Sequence, residues 1–433
     1  MSDKQYNRIE AELQMVLEDM VASANQSSQF SQRQTELTAE RFTQLLVLGW
    51  LRQGDASLKE LAQMGRDLGC DITGSAIHER IGSAAVELLG RVLVGSLRQR
   101  APVPRIPLAT LASFSAVYVT DSTQIALPAT LRVEFQGANG DAMVKLQVTL
   151  DYLTGQWVAL EVVNGIAPDQ NSALALEQAQ VGSLNLFDLG YFKQDLFAAL
   201  HAQGAYFVSR YQTQTALYEA PSGVRFDVVA WLQALVGDSG QCQLELASRV
   251  HAQVRWVARR VPQALADARR RKAKKSGKSY TKSYLYLLQW DLLITNLDST
   301  AWSLTQIFDL YPIRTQIEWL FRIWKSQLQV DHFGKWRLER VLCQLYAHLI
   351  AILLCHRLSA AWLWRDGYEY SFYKCVQIIQ DRVSDLMTCI AHNWRGVQTW
   401  HRNLEAAFLK FGRKTKRKKA PSTYQTLMDW SLS

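Results

Sequence analysis

The segment YPIRTQIEWLFRIWKSQL, residues 311–328, places four polar functional groups on one stripe of a predicted helix. At about 100° per residue they project within an arc of roughly 60°: Tyr311, Arg314, Glu318 and Lys325. A carboxylate flanked by two cations at the edge of an apolar helix face suits a metal and phosphate site. The same pattern is typical of an ordinary amphipathic helix with an Arg–Glu pair four residues apart. The choice depends on whether Glu318 has acidic partners elsewhere.

Length and composition indicate an ordinary soluble globular protein. The chain has 433 residues, of which 48% are hydrophobic and 20% charged, enough for one to three domains with a buried core. The N-terminus lacks the apolar segment of a signal peptide, and the apolar stretch 349–355 is too short to span a bilayer. Six cysteines without CxxC or zinc spacing indicate reduced thiols. We therefore expect a cytoplasmic protein with no membrane partner.

The net charge of +9 is concentrated in two basic runs. Residues 255–282 carry eleven Lys or Arg and one acid, and residues 410–419 carry seven Lys or Arg and no acid. This is the pattern expected for a polyanion partner. For the internal run we favour nucleic acid, whereas a solubilising tail explains the second run equally well.

Residues 5–100 are predicted to be helical. Ser57 is a plausible N-cap for a helix that stops near Gly69, and a short connection leads to a second helix predicted over 76–97. Helix, tight turn and helix are compatible with a DNA-reading helix-turn-helix and equally with plain helical packing. The proline-rich stretch 101–109 then marks a boundary.

From residue 115 the pattern changes to that of an α/β layered core. SAVYVTD (115–121) is a short strand ending at Asp121, and residues 144–165 form a hairpin. SLNLFDLGY (183–191) is another strand ending at Asp188, followed by a helix and the strand 205–211. A further strand is predicted over 283–296, helix over 299–330 and predominantly long helices in the C-terminal third.

Asp121, Asp188 and Glu318 together form a candidate metal site. Functional groups in α/β sheets gather beyond the carboxyl ends of strands, so neighbouring strands would bring the two aspartates together with Glu318 approaching from its helix. Three carboxylates around hard, oxygen-preferring cations are what two-metal phosphoryl transfer requires. Without cations these charges would repel a phosphate.

These residues resemble those of the DDE transposases of the insertion-sequence-4 type. Tyr-x2-Arg-x3-Glu-x6-Lys is matched without departure, and the contexts VTDSTQIALP and LFDLGYF resemble the first and second catalytic segments of that family. The resemblance implies an RNase H-like α/β catalytic core with a mostly β insertion, flanked by an N-terminal helical domain and a C-terminal helical region. It covers roughly residues 40–330 and extends to the helical tail.

The implied domain organisation has five parts. They are an N-terminal helical domain that binds element-end DNA (1–105), the first part of the RNase H-like core (110–211), a mostly β insertion with the basic run (212–297), the core helix with Glu318 (298–335) and a C-terminal helical dimerisation region with a basic tail (336–433).

The resemblance also implies DNA contacts. Tyr311, Arg314 and Lys325 would contact phosphates near the cleaved end, and Arg210, at the end of its strand, is similarly placed, although it is nearly as well explained as a surface arginine. Trp290 lies where the family can stack an extruded base. Because the chain has 14 tryptophans and the local match is offset by about one residue, we favour core burial for Trp290.

The reaction implied is Mg²⁺-dependent cleavage at the ends of a mobile element and transfer of the 3′-hydroxyl into target DNA. Two Mg²⁺ ions, for which Mn²⁺ can substitute, would be held by the three carboxylates. The partners would be double-stranded DNA, as terminal inverted repeats and target, and a second copy of the chain in a synaptic complex within a prokaryotic cytoplasm. No phosphate-binding loop for ATP is present. The alternatives are an RNase H-like nuclease without strand transfer and a DNA-binding regulator derived from a transposase.

Overall fold

The protein divides into two compact units, each built from separate stretches of chain. A computed structural model describes residues 3–31, 36–99, 103–246, 252–334, 336–360, 364–365, 368–415 and 421–430. The first unit comprises 1–107, 122–167 and 318–420, and the second comprises 108–121, 168–317 and 421–433. The chain therefore passes between the units after Asp121 and again before Glu318.

Helices build the N-terminal part of the first unit. In the described residues up to 99 they are α1 Asp3–Gln14, α2 Met20–Ser28, α3 Ala39–Arg52, α4 Leu58–Gly65, α5 Gly74–Arg80 and α6 Ser83–Arg98, with a π-helical turn at Met15–Asp19. Ser57 caps α4 as predicted, because its side chain and that of Glu60 each accept the other's backbone N–H. The single helix predicted over 76–97 is wrong. Gly82 is fully extended and separates α5 from α6.

A mixed sheet runs through the middle of the chain and confirms the predicted RNase H-like α/β class. Its strands are β1 Val117–Ala126, β2 Met143–Asp151, β3 Gln156–Asn164, β4 Leu184–Phe187, β5 Tyr206–Arg210, β6 Leu217–Glu219, β7 Ser239–Leu246, β8 Gln253–Arg260 and β9 Trp290–Thr295. Their order is β3-β2-β1-β4-β5-β9-β8-β7-β6. Strands β1, β4 and β5 are parallel, whereas β2–β3 and β5–β9–β8–β7–β6 pair antiparallel.

The strand carrying Asp121 is longer than predicted. Strand β1 was expected to end at Asp121, but it continues to Ala126. The β-branched and aromatic residues before the aspartate gave the expected signal, while the polar stretch after it resembled a loop. Asp121 therefore lies in the middle of a strand rather than at its end.

Short helices connect the strands of the second unit. They are α7 Leu174–Gln178, α8 Gln194–Ala202, α9 Val228–Ala234, α10 Gln263–Lys275, α11 Lys282–Leu287 and α12 Leu304–Leu310. The segment 212–297 contributes β6 to β9 and also α9 to α11. The strand predicted over 283–296 is wrong in its first half, because the Thr281 side chain accepts the Tyr284 N–H and starts a helix there. The core of this unit centres on the fully buried Trp256.

The segment 311–328 is not one uniform helix. After α12 the chain forms a 3-10 turn, Tyr311–Arg314, with Pro312 at its start, and only then α13, Thr315–Ser326. Proline fits the first turn of a helix, where its missing N–H is not needed. The wheel of about 100° per residue is therefore wrong for Tyr311 and Arg314, and the helix predicted over 299–330 is interrupted.

Helices dominate the C-terminal third as predicted. They are α14 Leu338–Ala360, α15 Phe372–Gln380, α16 Val383–Ala391, α17 Val397–Phe411 and α18 Thr423–Trp430, with a small hairpin of β10 Trp364–Arg365 and β11 Tyr368–Glu369. Of these helices, however, α15, α16 and α18 have only 9, 9 and 8 residues and are not long. Among the described residues, α14 is the helix long and apolar enough to cross a membrane, but 89% of its apolar window is buried. The stretch 349–355 thus belongs to a longer apolar helix than expected. It packs against α3, α6 and β3 in the first unit. Residues 416–419 of the second basic run lie outside the described residues.

Three histidines are buried in the first unit as neutral rings. His356 contacts the Gly155 carbonyl at 3.2 Å and packs 4.2 Å from the Phe372 ring. Burial lowers the pKa of His356 to about 3, and it lowers the pKa of His348 and of His401 to about 4. These rings bind protons in the unfolded chain at higher pH than in the folded one.

We predict that the free energy of unfolding falls as the pH decreases from about 6.5 toward 4, because protonation of these three histidines favours the unfolded chain. Urea unfolding followed by circular dichroism at several pH values measures it. His356→Phe should reduce the slope of unfolding free energy against pH, whatever its effect at pH 7. Equal slopes in the two proteins would contradict the assignment of His356.

Candidate active site

The first two candidate carboxylates lie side by side on neighbouring parallel strands. Val119 of β1 is opposite Leu186 of β4, so the same register puts Asp121 level with Asp188 two residues further on. Adjacent strands are about 4.8 Å apart, and residues in register point to the same face. Asp188 follows β4 directly and accepts the Gly190 N–H at 2.7 Å. The fold of the second unit therefore brings these two side chains together.

Arg314 forms an ion pair with the first of these carboxylates. Its Nη1 lies 3.2 Å from Asp121 Oδ2, and the two side chains are 11% and 14% exposed. A largely buried pair of this kind interacts more strongly than one at the surface, since solvent screens it less. In this structure, Arg314 thus neutralises a charge that would otherwise repel its neighbour Asp188.

Tyr311 connects the second carboxylate to two arginines. Its hydroxyl donates to the Phe187 carbonyl at 3.1 Å, which fixes the peptide immediately before Asp188. The guanidinium groups of Arg210 and Arg314 each lie 5.9 Å from the centre of the Tyr311 ring. Burial raises the pKa of Tyr311, Arg314 and Arg210 oppose this, and Asp188 adds to it. The phenol therefore stays protonated at neutral pH and acts as a donor.

The first unit contains the other two members of the motif that Tyr311 and Arg314 begin, namely Glu318 and Lys325. Lys325 Nζ donates to the Gln124 carbonyl at 2.7 Å, and burial lowers the pKa of Lys325 while Asp331 opposes this. Glu318 is half-buried in the first turn of α13. Within the described ranges, no three His, Cys, Asp or Glu side chains form a group that could hold a metal ion. The roles of Glu318 and Lys325 stay predictions.

A basic pocket of about 710 Å³ lies in the second unit beside Tyr311 and Arg314. Its lining has five cations and one carboxylate: Arg210, Arg259, Arg269, Lys272, Arg314 and Asp291. This excess of positive charge in a concave surface favours phosphate. The count of basic residues indicated that 255–282 matters, but it did not reveal which of its side chains face the site.

Asp291 anchors the basic helix α10 to the sheet. Arg269 Nη2 is 2.6 Å from Asp291 Oδ1, and Arg269 Nη1 donates to the Trp290 carbonyl at 3.1 Å. Arg259 approaches the same carboxylate at 3.8 Å and covers the Phe308 ring at 4.3 Å. Sequence reasoning missed Asp291, because an isolated acid in a strand gives no signal.

Trp290 is a core residue that also lines the basic pocket. It is 3% exposed and belongs to the apolar core of the second unit. The Arg260 guanidinium lies 4.9 Å from its ring centre. Burial agrees with the interpretation that we favoured from the sequence, and a DNA contact by Trp290 stays a prediction.

Asp169 is a further carboxylate near the candidate site that the sequence did not indicate. A Cβ atom added to Gly190 would lie 2.9 Å from Asp169 Oδ2 and 3.0 Å from Asp188 Oδ1. Both oxygens therefore approach the glycine more closely than a larger residue would allow. No recognisable motif surrounds Asp169, and only the fold brings it to Asp188.

The chain belongs to the DDE transposase family. The family model described as "Transposase DDE domain" matches residues 112–354, more than half of the chain, and this range contains Asp121, Asp188 and Glu318. The predicted class of enzyme, which cleaves and transfers DNA strands, is therefore confirmed.

Similar relatives are insertion-sequence transposases of bacteria. The transposase for insertion sequence element IS231B of Bacillus thuringiensis subsp. berliner is 25% identical over 421 residues, covering 90% of this chain and 88% of the relative. The transposase for IS1151 of Clostridium perfringens is 25% identical over 354 residues, covering 76% and 75%. Among solved structures, a piggyBac transposase synaptic complex with hairpin DNA matches with a TM-score of 0.49 and 11% identity, covering 94% of this chain and 84% of that one.

We predict that Tyr311→Phe lowers the free energy of unfolding by about 0.5–1.5 kcal/mol, because the bond to the Phe187 carbonyl is lost and the carbonyl is left without that donor. Urea unfolding at pH 7 measures the change. Tyr280→Phe removes a hydroxyl whose contact with Ser276 is exposed, so it should change stability by less than about 0.5 kcal/mol. Equal effects of the two substitutions would show that the Tyr311 hydroxyl has no special role.

Proposed function

We propose that this protein is a cut-and-paste DNA transposase that cleaves the ends of a mobile element and transfers the 3′-hydroxyl into target DNA. The observation that carries the proposal is the parallel register of β1 with β4, which continues from Val119 and Leu186 to put Asp121 level with Asp188, next to Arg314, Tyr311 and a basic pocket. Carboxylates suit the binding of divalent cations, and the pocket suits the phosphates on which the reaction occurs.

The donor atoms at this site fit Mg²⁺. Asp121 and Asp188 offer carboxylate oxygens, the ligands that hard divalent cations prefer, and Asp121 already pairs with a cation in the form of Arg314. We propose that Asp121, Asp188 and Glu318 hold two Mg²⁺ ions and that Mn²⁺ can replace them. When bound, such ions would lower the pKa of the attacking water or hydroxyl and stabilise the leaving oxygen.

The remaining residues of the site would position the DNA. Arg314 can bind a phosphate through a bidentate fork, and Arg210 and Lys325 supply further positive charge. Tyr311 keeps the backbone before Asp188 in place through the Phe187 carbonyl. Trp290, if its ring became accessible beside the basic pocket, would offer a stacking surface for a base.

Conservative substitutions at the three acids test the chemistry. Asp121→Asn, Asp188→Asn and Glu318→Gln should each reduce cleavage by at least about 100-fold, because metal-assisted catalysis is worth several kcal/mol. The assay uses purified protein, Mg²⁺ and DNA carrying the terminal inverted repeats that flank the gene. Binding of the same DNA, measured by fluorescence anisotropy, should change little. Asp195→Asn, an exposed acid at the start of α8, is the matched control and should cleave normally.

Each outcome of this assay supports a different function for the protein. Cleaved and joined products support the transposase. Cleavage without any joined product would favour the nuclease, and binding without cleavage in Mg²⁺ or Mn²⁺ would favour the regulator. Full cleavage by one of the three variants would remove that residue from the site.

The basic helix α10 should contribute sequence-independent DNA affinity. Lys272, Lys274 and Lys275 are exposed at its end, whereas Arg269 is held by Asp291. Replacing the three lysines with alanine should reduce the slope of log affinity against log salt by up to about 3, because each phosphate contact adds roughly 0.9. DNA titrations at several salt concentrations measure the slope. Gln263→Ala, exposed at the other end of α10, should leave it unchanged, and an unaltered slope in the triple variant would exclude α10 from the DNA interface.

We further propose that the protein acts as a homodimer in the cytoplasm of a prokaryotic host, with element ends bound by residues 1–105 and dimer contacts made by residues 336–433. The relatives of this chain come from bacteria, which supports the location. The N-terminal helices α4 and α5 are arranged with a short connection between them, which suits either DNA reading or packing.

A further inference from the structure

Arg314 forms an ion pair with Asp121, the carboxylate that the proposed reaction needs as a metal ligand. Its guanidinium is 3.2 Å from Asp121, and the pair is almost buried. A carboxylate paired in this way is a poorer ligand for a divalent cation, because the arginine and the cation repel each other and compete for the same negative charge. Metal would therefore bind weakly while this ion pair is intact.

Arg314 also has access to a second anion. It lines the basic pocket together with Arg210 and Lys272, so a DNA phosphate in that pocket would lie within reach of its guanidinium. Arginine forms bidentate bonds to phosphate as readily as to carboxylate. Phosphate binding thus offers Arg314 an alternative to Asp121 without leaving its charge unpaired.

We propose that Arg314 is a latch that couples DNA binding to metal binding. In the DNA-free protein it holds Asp121, and in the complex it exchanges Asp121 for a phosphate, which makes the carboxylate available to a divalent cation. This rests on the proposed function of Asp121. By linkage, metal must then strengthen DNA binding by the same factor as DNA strengthens metal binding. The DNA-free protein would therefore carry little bound metal. The site would become able to cleave only after DNA is bound.

The experiment measures Mn²⁺ binding to the full chain by electron paramagnetic resonance, with and without a pre-cleaved end duplex that terminates in a dideoxynucleotide. Mn²⁺ bound by the duplex alone is subtracted. In the wild type, DNA should tighten Mn²⁺ binding about tenfold, within the range usual for coupled sites. Arg314→Gln should bind Mn²⁺ about tenfold more tightly than the wild type without DNA, and the effect of DNA should shrink to less than about threefold.

Arg210→Gln is the matched control. Arg210 lies at the same 5.9 Å distance from the Tyr311 ring as Arg314, but within the described part of the chain it forms no ion pair with Asp121. It should weaken DNA binding and leave Mn²⁺ affinity without DNA unchanged. Arg314→Lys keeps the charge and should restore weak Mn²⁺ binding. Circular dichroism confirms that each variant is folded.

The outcomes separate the latch from the proposed function. If Asp121→Asn abolishes Mn²⁺ binding while Arg314→Gln binds Mn²⁺ like the wild type, the latch is wrong and the metal site stands. If Asp121→Asn binds Mn²⁺ like the wild type, the site itself is wrong and both proposals fail. If Arg314→Gln does not fold, the DNA affinity of the wild type with and without Mn²⁺ tests the latch. Mn²⁺ should tighten DNA binding about tenfold at constant ionic strength. If Mn²⁺ leaves the DNA affinity of the wild type unchanged, the latch is wrong.

Discussion

The central constraint on this structure is the repulsion between two carboxylates, one on strand β1 and one on the residue that follows the parallel strand β4. The pairing of these strands ends at Val119 and Leu186, and the same register carries Asp121 and Asp188 alongside one another two residues further on. Arg314 offsets this repulsion by its ion pair with Asp121. The backbone N–H of Gly190 donates a hydrogen bond to Asp188. The surrounding cations are therefore required by the fold as much as by any ligand.

Other contacts in the second unit hold the elements that surround these two carboxylates. Tyr311 can donate to the carbonyl before Asp188 only because the 3-10 turn passes close to the end of β4. The basic helix α10 is attached to the sheet through Arg269 and Asp291, while its exposed cations are Arg271, Lys272, Lys274 and Lys275. Arg269 is thus structural, as is the buried Arg255, which donates to Gln241 and to the Trp302 carbonyl. The charge available to a partner is therefore smaller than the sequence count suggests.

Much of the fold was predictable from the sequence, and the reasons are local. Short runs of β-branched, aromatic and other apolar residues identified β1 and β4 and so placed both aspartates, and Ser57 identified a helix start through its own hydrogen bonds. The errors arose where a local pattern fitted two structures. SYLYLL before Trp290 suits a strand or a helix, and the Thr281 cap selects the helix. Asp169, Asp291 and the ion pair of Arg314 with Asp121, residues 193 apart in the chain, depend on tertiary contacts that no spacing encodes.

The 3-10 turn has a consequence for how such motifs are read in other sequences. Residues three apart lie directly above one another in a 3-10 helix but are offset in an α-helix. Tyr311 and Arg314 are three apart within the turn, and this eclipsed column places the guanidinium near the ring. Glu318 and Lys325 are seven apart on α13, which is close to two α-helical turns. The motif is thus a composite of two helical periods joined at Thr315, and a search that assumes a single period would misplace Tyr311 relative to Arg314 by about 60° around the helix axis.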